Sequence, residues 1–314
     1  MNNLDYDAIL NDFNKEYLSL YNSEEYRIGR KFLIVKYYLK KFKFITLFKK
    51  TYRSKMKEKN SIKNNYDNKE LFKDNEKNQE NNYQGEKVAI YTVNIGGYDT
   101  VLQPIVKNDN VDYFYVSDKK PQNLGKWNWL DAKPYIKDLN TTNVKKARYI
   151  KTHPHILFPN YKYSIFIDGN IRTITDISKF VNNINKITKI AIHPHPYREC
   201  IYDEAINCKN SGKGNPKVID SQMESYKKEG MPSNYGLFET NVVVREHNNK
   251  ICKKLMEDWW SEIKFKSERD QLSLTYALWK NDFKSNDIGV IYDSIKNNYN
   301  LQVLDHLDDY KKSQ

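Results

Sequence analysis

The chain has 314 residues, 39% hydrophobic and 14% aromatic, which suffices for one large core or two modest domains at about 100–200 residues per domain. Its net charge of +12 is concentrated, because residues 27–57 contain twelve Lys or Arg and neither Asp nor Glu. Three cysteines without a C-x-x-C pair argue against a disulfide framework and a zinc ribbon, and they favour a reduced, cytoplasmic setting.

The N-terminal part, residues 1–57, is predicted to contain a basic amphipathic helix. Phe32, Val35, Leu39 and Phe42 recur at helical spacing, with lysines on another face. Such a helix can lie on an anionic membrane surface, which would place the protein on the inner face of the cytoplasmic membrane. Alternatively, it packs on the main domain with its basic side in solvent.

Two other interpretations of the start of the chain are disfavoured. It lacks the basic and apolar regions of a signal peptide, and no apolar run approaches the roughly 18 residues of a membrane span. Nucleic acid could bind the basic block through stacking aromatics such as Tyr37 and Tyr38. However, those rings continue an apolar face and no RNA-binding motif accompanies them, so we expect no nucleic-acid partner.

Residues 58–86 are rich in Asn, Lys and Glu and are predicted to be a polar linker. Beyond them, short apolar runs alternate with helical patterns. Strands are predicted at 87–93, 111–117, 162–167, 189–195 and 237–246, and helices from 144 until Pro154, at 249–265 and at 270–282. This alternation predicts an α/β domain over residues 87–314 with a mostly parallel central sheet.

Asp168, Gly169 and Asn170 follow the predicted strand KYSIFI directly. Ligands of open α/β sheets bind outside the carboxyl ends of the strands. An aspartate there, beside a glycine that permits close approach, can hold a divalent cation that bridges nucleotide phosphates. The simpler alternative is a turn, because Asp, Gly and Asn are all turn residues.

Six ordered blocks between residues 87 and 280 carry a family resemblance. They are TVNIGGYD, DYFYVSD, ARYIKTHPHILFPNYKYSIFIDGN, HPHPYRECIYDEA, GMPSNYGLFETNVVVREHN and SERDQLSLTYALWK. Together they resemble the glycosyltransferase-like domain family that was first described as a domain of unknown function. The family is named after plant mucilage-related and turgor-regulation proteins, and it also occurs in bacterial surface-polysaccharide gene clusters.

That domain is similar to nucleotide-sugar transferases of the GT-A fold, particularly the retaining galactosyl and glucosyl transferases of family eight. The resemblance therefore implies a GT-A-like nucleotide-sugar-binding fold. It also implies transfer of a sugar, with retention, from a nucleotide-sugar donor to a glycan acceptor in capsule or lipo-oligosaccharide biosynthesis. The rival interpretation is a sugar-nucleotide or glycan-binding protein that keeps the fold without activity.

The resemblance also assigns a metal site. Asp168 and Asn170 occupy the place of the D-x-D motif, and His306 takes the place of a late metal-binding histidine. Asn170 stands where the motif has its second carboxylate, and a neutral amide is a weaker ligand. Dependence on Mn²⁺ or Mg²⁺ is therefore open, and His306 has the alternative of a surface histidine between acids.

By the same resemblance, Asn94, Gly97 and Tyr98 form the turn that receives the nucleotide base and ribose. Arg148 and Lys151, one helical turn apart, can reach donor phosphates, since arginine offers a bidentate fork and lysine a point charge. The spacing of these two residues equally fits an ordinary exposed helix face.

The remaining candidates surround the sugar. Asp270 and Gln271 resemble the Asp-Gln pair beside the sugar and acceptor, and Glu239 falls where related enzymes line the sugar pocket. Asp270 has the alternative of forming a helix N-terminal pair with Arg269.

Histidines offer two further possibilities. His195, Arg198 and Glu204 either engage donor and acceptor or form an internal salt-bridged corner. The two His-Pro-His triplets, at 153–155 and 193–195, would place each pair on one face of an extended strand, where zinc could bind. Neither pair has a cysteine or carboxylate at ligand spacing.

Overall fold

The computed structural model describes Tyr83 and residues 85–106 and 108–304. The basic segment 27–57, with its membrane and nucleic-acid interpretations, lies outside the described residues. So do His306 and nearly all of the linker 58–86. None of the helices in the described part of the chain combines the length and apolar character that a membrane span requires.

The domain is built on a seven-stranded sheet in the order β3-β2-β1-β4-β7-β6-β8, and a two-stranded sheet pairs β5 with β9. The strands are β1 Val88–Asn94, β2 Val111–Ser117, β3 Asn128–Asp131, β4 Tyr163–Ile167, β5 Ile171–Thr173, β6 Ile190–Pro194, β7 Phe238–Arg245, β8 Gly289–Val290 and β9 Leu301–Val303. In the large sheet only β7 runs antiparallel to its neighbours. The predicted α/β fold with a mostly parallel central sheet is therefore confirmed.

Helices connect most of the strands. They are α1 Lys133–Ile136, α2 Asn143–Thr152, α3 Pro154–Leu157, α4 Ile201–Asn210, α5 Pro216–Lys228, α6 Lys250–Phe265 and α7 Asp270–Lys280. Short 3-10 turns occupy Ser178–Asn183, Ser285–Asp287 and Ile295–Asn297. The predicted end of α2 before Pro154 is confirmed, as proline at that point cannot extend the preceding helix.

Both faces of the sheet are buried. Along β1, Ala89 and Tyr91 pack into the core that contains α2, α6 and α7, whereas Val88 and Ile90 pack into a second core with residues from 165 to 181 and 291 to 301. Successive residues of a strand point to opposite faces, so a strand covered on both sides is apolar throughout. This is why the strands appeared in the sequence as continuous apolar runs.

Because of the strand directions, several candidate site residues lie along one edge of the sheet. β1, β2, β4 and β6 all end at the same side of the sheet, and the antiparallel β7 begins there. This edge therefore carries Asn94 at the end of β1, Asp168 just after β4, His195 just after β6 and Glu239 at the start of β7. It is the side on which open α/β sheets bind ligands.

A buried arginine fixes helix α2 against the sheet. Arg245 is fully buried, and its Nη1 donates to the carbonyl oxygen of Lys151 at 2.7 Å. The Tyr91 hydroxyl donates to the same carbonyl, also at 2.7 Å. The last turn of a helix has unsatisfied carbonyls and a negative dipole end, both of which a guanidinium satisfies. Helix α2 is thereby anchored by the β1 and β7 side chains beneath it.

The buried His247 supports a prediction on stability. Burial lowers the pKa of His247 to about 4 in the folded protein, against about 6.5 in an unfolded chain. A proton therefore binds the unfolded chain more readily, so the contribution of His247 is complete above pH 6.5 and is lost as pH falls towards 4. Relative to His247→Gln, which does not titrate, we expect the wild type to lose about 2 kcal/mol of unfolding free energy between pH 7 and pH 5.

Urea unfolding of both proteins at several pH values measures this difference. All other titrating groups are the same in the two proteins, so their contributions cancel when the two free energies of unfolding are subtracted. Parallel stability profiles for wild type and variant would contradict the prediction.

Candidate active site

Four charged side chains meet at the carboxyl edge of the sheet. Arg148 and Lys151 come from one face of α2, Asp168 from the turn after β4, and Asp270 is the first residue of α7. Each cation lies within 4.0 Å of both carboxylates. The structure therefore joins two residues predicted to contact donor phosphates with one predicted metal ligand and one predicted catalytic residue. We call these four residues the charge cluster.

The centre of the charge cluster is a buried ion pair. Lys151 Nζ lies 2.6 Å from Asp270 Oδ2, and the two side chains are 1% and 3% exposed. The Thr240 hydroxyl donates to the same carboxylate at 3.1 Å, and the Trp259 indole N–H donates to the Asp270 backbone oxygen at 2.8 Å. Although burial opposes ionisation, Arg148 and Lys151 hold the pKa of Asp270 well below its usual range. Asp270 is therefore a fixed negative charge.

Asp168 is held differently. Its Oδ2 accepts a hydrogen bond of 2.9 Å from the Asn241 amide. Its Oδ1 is 3.7 Å from Arg148 Nη1 and 3.9 Å from Lys151 Nζ, and its side chain is 21% exposed. Neither cation makes a contact of hydrogen-bond length with it. Asp168 is consequently positioned by the protein while remaining open to a ligand.

The interpretation of Arg148 and Lys151 as an ordinary exposed helix face is wrong. Lys151 is buried and its ammonium group is occupied by Asp270. It is not placed to reach a donor phosphate directly. Arg148, whose side chain is 21% exposed, spans both carboxylates, with Nε 3.5 Å from Asp270 Oδ1. Of these two side chains, Arg148 is the more exposed.

Asn170 connects the turn after β4 to the end of the described chain. Its amide nitrogen donates to the Leu304 carbonyl at 2.8 Å, and the Leu304 N–H donates to the Asn170 carbonyl at 2.9 Å. The amide oxygen of Asn170 is buried without a hydrogen-bond partner in the described structure. An unsatisfied buried acceptor costs about 1–3 kcal/mol, unless a bound cation or donor satisfies it.

These oxygens fit the divalent cation that the resemblance implies. Mg²⁺ and Mn²⁺ prefer carboxylate and amide oxygens, which Asp168 and Asn170 carry on either side of Gly169. Within the described residues, no three or more His, Cys, Asp or Glu side chains are grouped as a metal site. A cation at this turn would therefore depend on an amide oxygen and on the ligand's own oxygens as well as on carboxylates.

The turn after β1 is organised by Asn94. Its amide oxygen accepts from the Tyr98 N–H at 2.8 Å, and its amide nitrogen donates to the Asp99 carbonyl and the Tyr115 hydroxyl. Gly97 adopts a φ of +76°, which glycine reaches without strain. Asn94 is thus used in holding the turn, while the Tyr98 ring, 50% exposed, is the side chain that the turn presents to solvent.

His195, Arg198 and Glu204 form an internal corner. Arg198 Nε donates to Glu204 Oε2 at 2.5 Å, and His195 Nδ1 accepts from the Arg198 backbone N–H at 3.1 Å. Burial, reinforced by Arg198, lowers the pKa of His195 to about 4, so its ring is neutral near pH 7. The salt-bridged corner, one of the two alternatives for this segment, is therefore present in the structure.

Glu239 and Gln271 lie near the start of β7. Glu239 accepts from the Ile295 N–H at 2.7 Å, and burial raises its pKa. Gln271 donates from its amide nitrogen to the Phe238 carbonyl at 2.9 Å. Because Asp270 also bonds to Thr240, helix α7 is joined to β7 by two consecutive residues.

The strand geometry expected for the histidine pairs is wrong for the first pair. His153 terminates α2 and His155 lies in α3, since Pro154 begins a new helical turn rather than an extended segment. Both Nε2 atoms face Glu257, at 3.3 and 3.4 Å. In the second pair, His193 is fully buried and bonds to Asn298.

Sequence reasoning missed the residues that support the charge cluster. Thr240 and Asn241 bond to Asp270 and Asp168 respectively. They stand as two polar residues at the start of the apolar run VVV, a placement that marks the ligand edge of a strand. Trp259 gave no such signal, because a tryptophan in an amphipathic helix is ordinarily part of the core.

The buried ion pair should be strongly coupled. Replacing Lys151 with Met removes the closest partner of the buried Asp270 carboxylate and leaves it only the 3.5 Å contact with Arg148 Nε. Removing one partner of a buried ion pair costs about 3–5 kcal/mol of unfolding free energy. We expect the double variant Lys151→Met, Asp270→Asn to lose clearly less than the sum of the two single variants. Urea unfolding of the four proteins measures this coupling. Additive losses would show that the two groups do not interact.

Comparisons with known proteins add a family and several relatives. Aligned with the probable hexosyltransferase MUCI70 of Arabidopsis thaliana, the chain is 29% identical over 159 residues, covering 47% of this chain and 27% of the plant protein. The chain thus corresponds to about a quarter of that relative's length.

Similar solved structures are glycosyltransferases by their descriptions. WbbM, a bifunctional enzyme, has a TM-score of 0.44 at 14% identity, covering 68% of this chain and 39% of its own. Mouse xyloside xylosyltransferase 1 has a TM-score of 0.39 at 10% identity, covering 67% and 85%. The galactosyltransferase LgtC, in complex with donor and acceptor sugar analogues, has a TM-score of 0.35 at 11% identity, covering 65% and 72%.

The family model extends over most of the described structure. It matches residues 73–302, a range that contains the sheet, the charge cluster and the Asp-Gly-Asn turn, and that begins earlier than the blocks recognised in the sequence. The chain belongs to the TOD1/MUCI70 glycosyltransferase-like domain family.

Proposed function

We propose that the protein is a glycosyltransferase that moves a sugar from a nucleotide-sugar donor to a glycan acceptor. The observation that carries the proposal is the charge cluster at the carboxyl edge of the sheet. It pairs a buried, permanently ionised Asp270 with an accessible Asp168. Such an arrangement suits a reaction in which a charged group departs from a sugar, since charge stabilisation by preorganised groups is usually the largest catalytic contribution.

Asp168 and Asn170 are proposed to face the donor diphosphate and to hold a Mn²⁺ or Mg²⁺ ion, with His306 as a further ligand. Bound there, the cation would neutralise charge on the departing diphosphate. Arg148 is proposed to contact the phosphates by its guanidinium. Lys151 acts indirectly, by keeping Asp270 ionised and in place. The turn with Asn94, Gly97 and Tyr98 is proposed to receive the base and ribose.

Asp270, Gln271 and Glu239 are proposed to frame the reacting sugar. Sugar transfer passes through a transition state with positive charge near the anomeric carbon, and the fixed negative charge of Asp270 favours that charge electrostatically. The protein otherwise needs to hold donor and acceptor together. Retention of the anomeric configuration belongs to the proposal, as does a place for His195, Arg198 and Glu204 beside the bound substrates.

The cellular setting is also proposed. The chain is proposed to consist of an N-terminal basic segment 1–57, a linker 58–86 and a transferase domain 87–314. The basic segment would attach a cytoplasmic enzyme to the inner membrane face. There it would extend a surface polysaccharide such as a capsule or lipo-oligosaccharide.

The proposal predicts the behaviour of Asp168→Ala. We expect the variant to fold, because the side chain is partly exposed and its loss removes one amide contact. We expect release of nucleoside diphosphate from nucleotide-sugars to fall about 100-fold or more. The matched control is Asp220→Asn on α5, an exposed carboxylate paired with Lys209, which should retain full activity.

The measurement begins with thermal stabilisation of the wild type by a panel of nucleoside diphosphates and nucleotide-sugars, with and without Mn²⁺. A ligand at a hundredfold its dissociation constant adds about 2.7 kcal/mol. Turnover of the stabilising donor is then assayed in wild type, Asp168→Ala and Asp220→Asn. Donor binding without turnover in the wild type would favour the sugar-nucleotide-binding alternative, and normal turnover by Asp168→Ala would remove Asp168 from the mechanism.

A further inference from the structure

The C-terminal end of helix α6 presents an aromatic ring to solvent. Phe265, the last residue of the helix, is 73% exposed, which is the largest fraction among the exposed large hydrophobic side chains in the described part of the chain. The buried stripe of α6 runs from Cys252 to Ile263. Phe265 lies outside this stripe, because it follows the exposed Ser261 by four residues and shares its face. Core packing therefore does not account for this phenylalanine.

The exposed ring stands on a fixed part of the backbone. The Lys145 ammonium group of α2 donates to the carbonyl oxygens of Lys264 and Lys266, both at 2.9 Å. The Lys266 N–H donates to the Glu262 carbonyl at 2.8 Å. A cation bound to the last carbonyls satisfies the C-terminal end of a helix. The end of α6 is thus held against the start of α2, with Phe265 between two anchored neighbours.

The surroundings of the ring are basic. Lys264 Nζ lies 5.1 Å from the centroid of the Phe265 ring. Residues 142–146 and 261–268 contain four lysines against Glu262 and Glu268, a net charge of +2. The Glu262 carboxylate accepts from the Tyr226 hydroxyl at 2.7 Å and is thereby engaged with α5. We use the name Phe265 surface for the following residues of α2 and α6 and the residue after it: Val144, Lys145, Lys146, Lys264, Phe265 and Lys266.

The Phe265 surface lies at the edge of the sheet that carries the candidate site. Strand β7 begins at that edge and ends at Arg245 on the opposite one, so α6 starts there and returns over about 24 Å. Helix α7 then begins with Asp270 of the charge cluster, five residues after Phe265. On the α2 side, a Cβ atom placed on Gly96 would be 2.5 Å from Asn143 Nδ2. The start of α2 is therefore beside the turn after β1.

We propose that the Phe265 surface docks onto an anionic lipid bilayer. An aromatic ring flanked by lysines suits such a membrane, since the ring enters the boundary between headgroups and acyl chains while the ammonium groups meet lipid phosphates. A second copy of the chain, or its own basic segment 27–57, is a poorer occupant. Each would bring further positive charge to a surface that is already basic.

This contact differs from the one proposed for segment 27–57, because it belongs to the transferase domain and sets its orientation. With the Phe265 surface on lipid, the edge of the sheet that carries the charge cluster faces the membrane. Docking itself does not require the proposed function. Its consequence for transfer, a glycan acceptor attached to a lipid of the same bilayer, rests on the proposed function.

The test reads the surface locally, so that binding through segment 27–57 does not obscure it. The three native cysteines of the chain are buried, which allows an environment-sensitive bimane fluorophore to be attached to the full chain at Phe265→Cys. The matched control is Ile251→Cys, because Ile251 is 42% exposed at the other end of the same helix. Wild type treated with the reagent measures background labelling.

With vesicles of phosphatidylglycerol and phosphatidylcholine, we expect the emission at position 265 to shift to shorter wavelength and to be quenched by doxyl-labelled lipid. Position 251 should keep its spectrum in water. In co-sedimentation with the same vesicles, Phe265→Ser should bind about tenfold more weakly because burial of the ring is lost. Lys264→Gln should bind about fivefold more weakly, since it lacks one charge near the lipid, and Ile251→Ser should match the wild type.

Three results would overturn the proposal. One is an unchanged spectrum at position 265 while the protein co-sediments with vesicles, which would place the membrane contact elsewhere in the chain. Another is a wild type that binds no anionic vesicles. The third is a spectral change at position 265 that depends on protein concentration without vesicles, which would identify a second copy as the occupant. Donor turnover without vesicles, expected to be equal in wild type and Phe265→Ser, separates these results from failure of the proposed function.

Discussion

The buried ion pair between Lys151 and Asp270 is the constraint on which the candidate site depends. Removing two charges from water is costly, and the cost is offset only when each charge meets its partner with good geometry. Here the pair brings α2 and α7 together, Thr240 of β7 bonds to the carboxylate, and Trp259 of α6 holds the Asp270 backbone. A shift of any of these four elements would separate the buried charges from their partners, and the desolvation cost would then no longer be offset. The pair therefore fixes the relative positions of the four elements.

Because of this pair, the two carboxylates of the charge cluster have different roles. The Asp270 carboxylate is paired with groups inside the protein, and a change of partner would lower the free energy of unfolding. Asp168 is left with one amide hydrogen bond and two cations beyond hydrogen-bond distance, so its remaining oxygen is available. A site that must bind and release a charged substrate needs one rigid charge for preorganisation and one accessible charge for contact. The fold provides them within a few ångströms.

Local patterns predicted much of this arrangement, and long-range contacts account for what they did not. Continuous apolar runs identified the central strands because both faces of the sheet are covered, and Asp168 was placed at a strand end by its position after KYSIFI. By contrast, Lys151 and Asp270 are 119 residues apart, and no local pattern distinguishes a helix face that carries a buried lysine from an exposed one. The geometry of the first His-Pro-His triplet was mistaken because proline also begins helices.

The double hydrogen bond between Asn170 and Leu304 has a consequence for the order in which the protein is made. Asn170 belongs to the middle of the chain and Leu304 lies 134 residues later, yet the orientation of the Asn170 amide depends on that partner. Ribosomes add roughly 5–20 residues per second, so the strands on which the turn stands emerge several seconds before Leu304. The strands β1, β2 and β4 can therefore pair while the turn is incomplete. The oxygens of the candidate site take their final positions only after residue 304 has been translated. A nascent chain would accordingly be structured before it is able to bind.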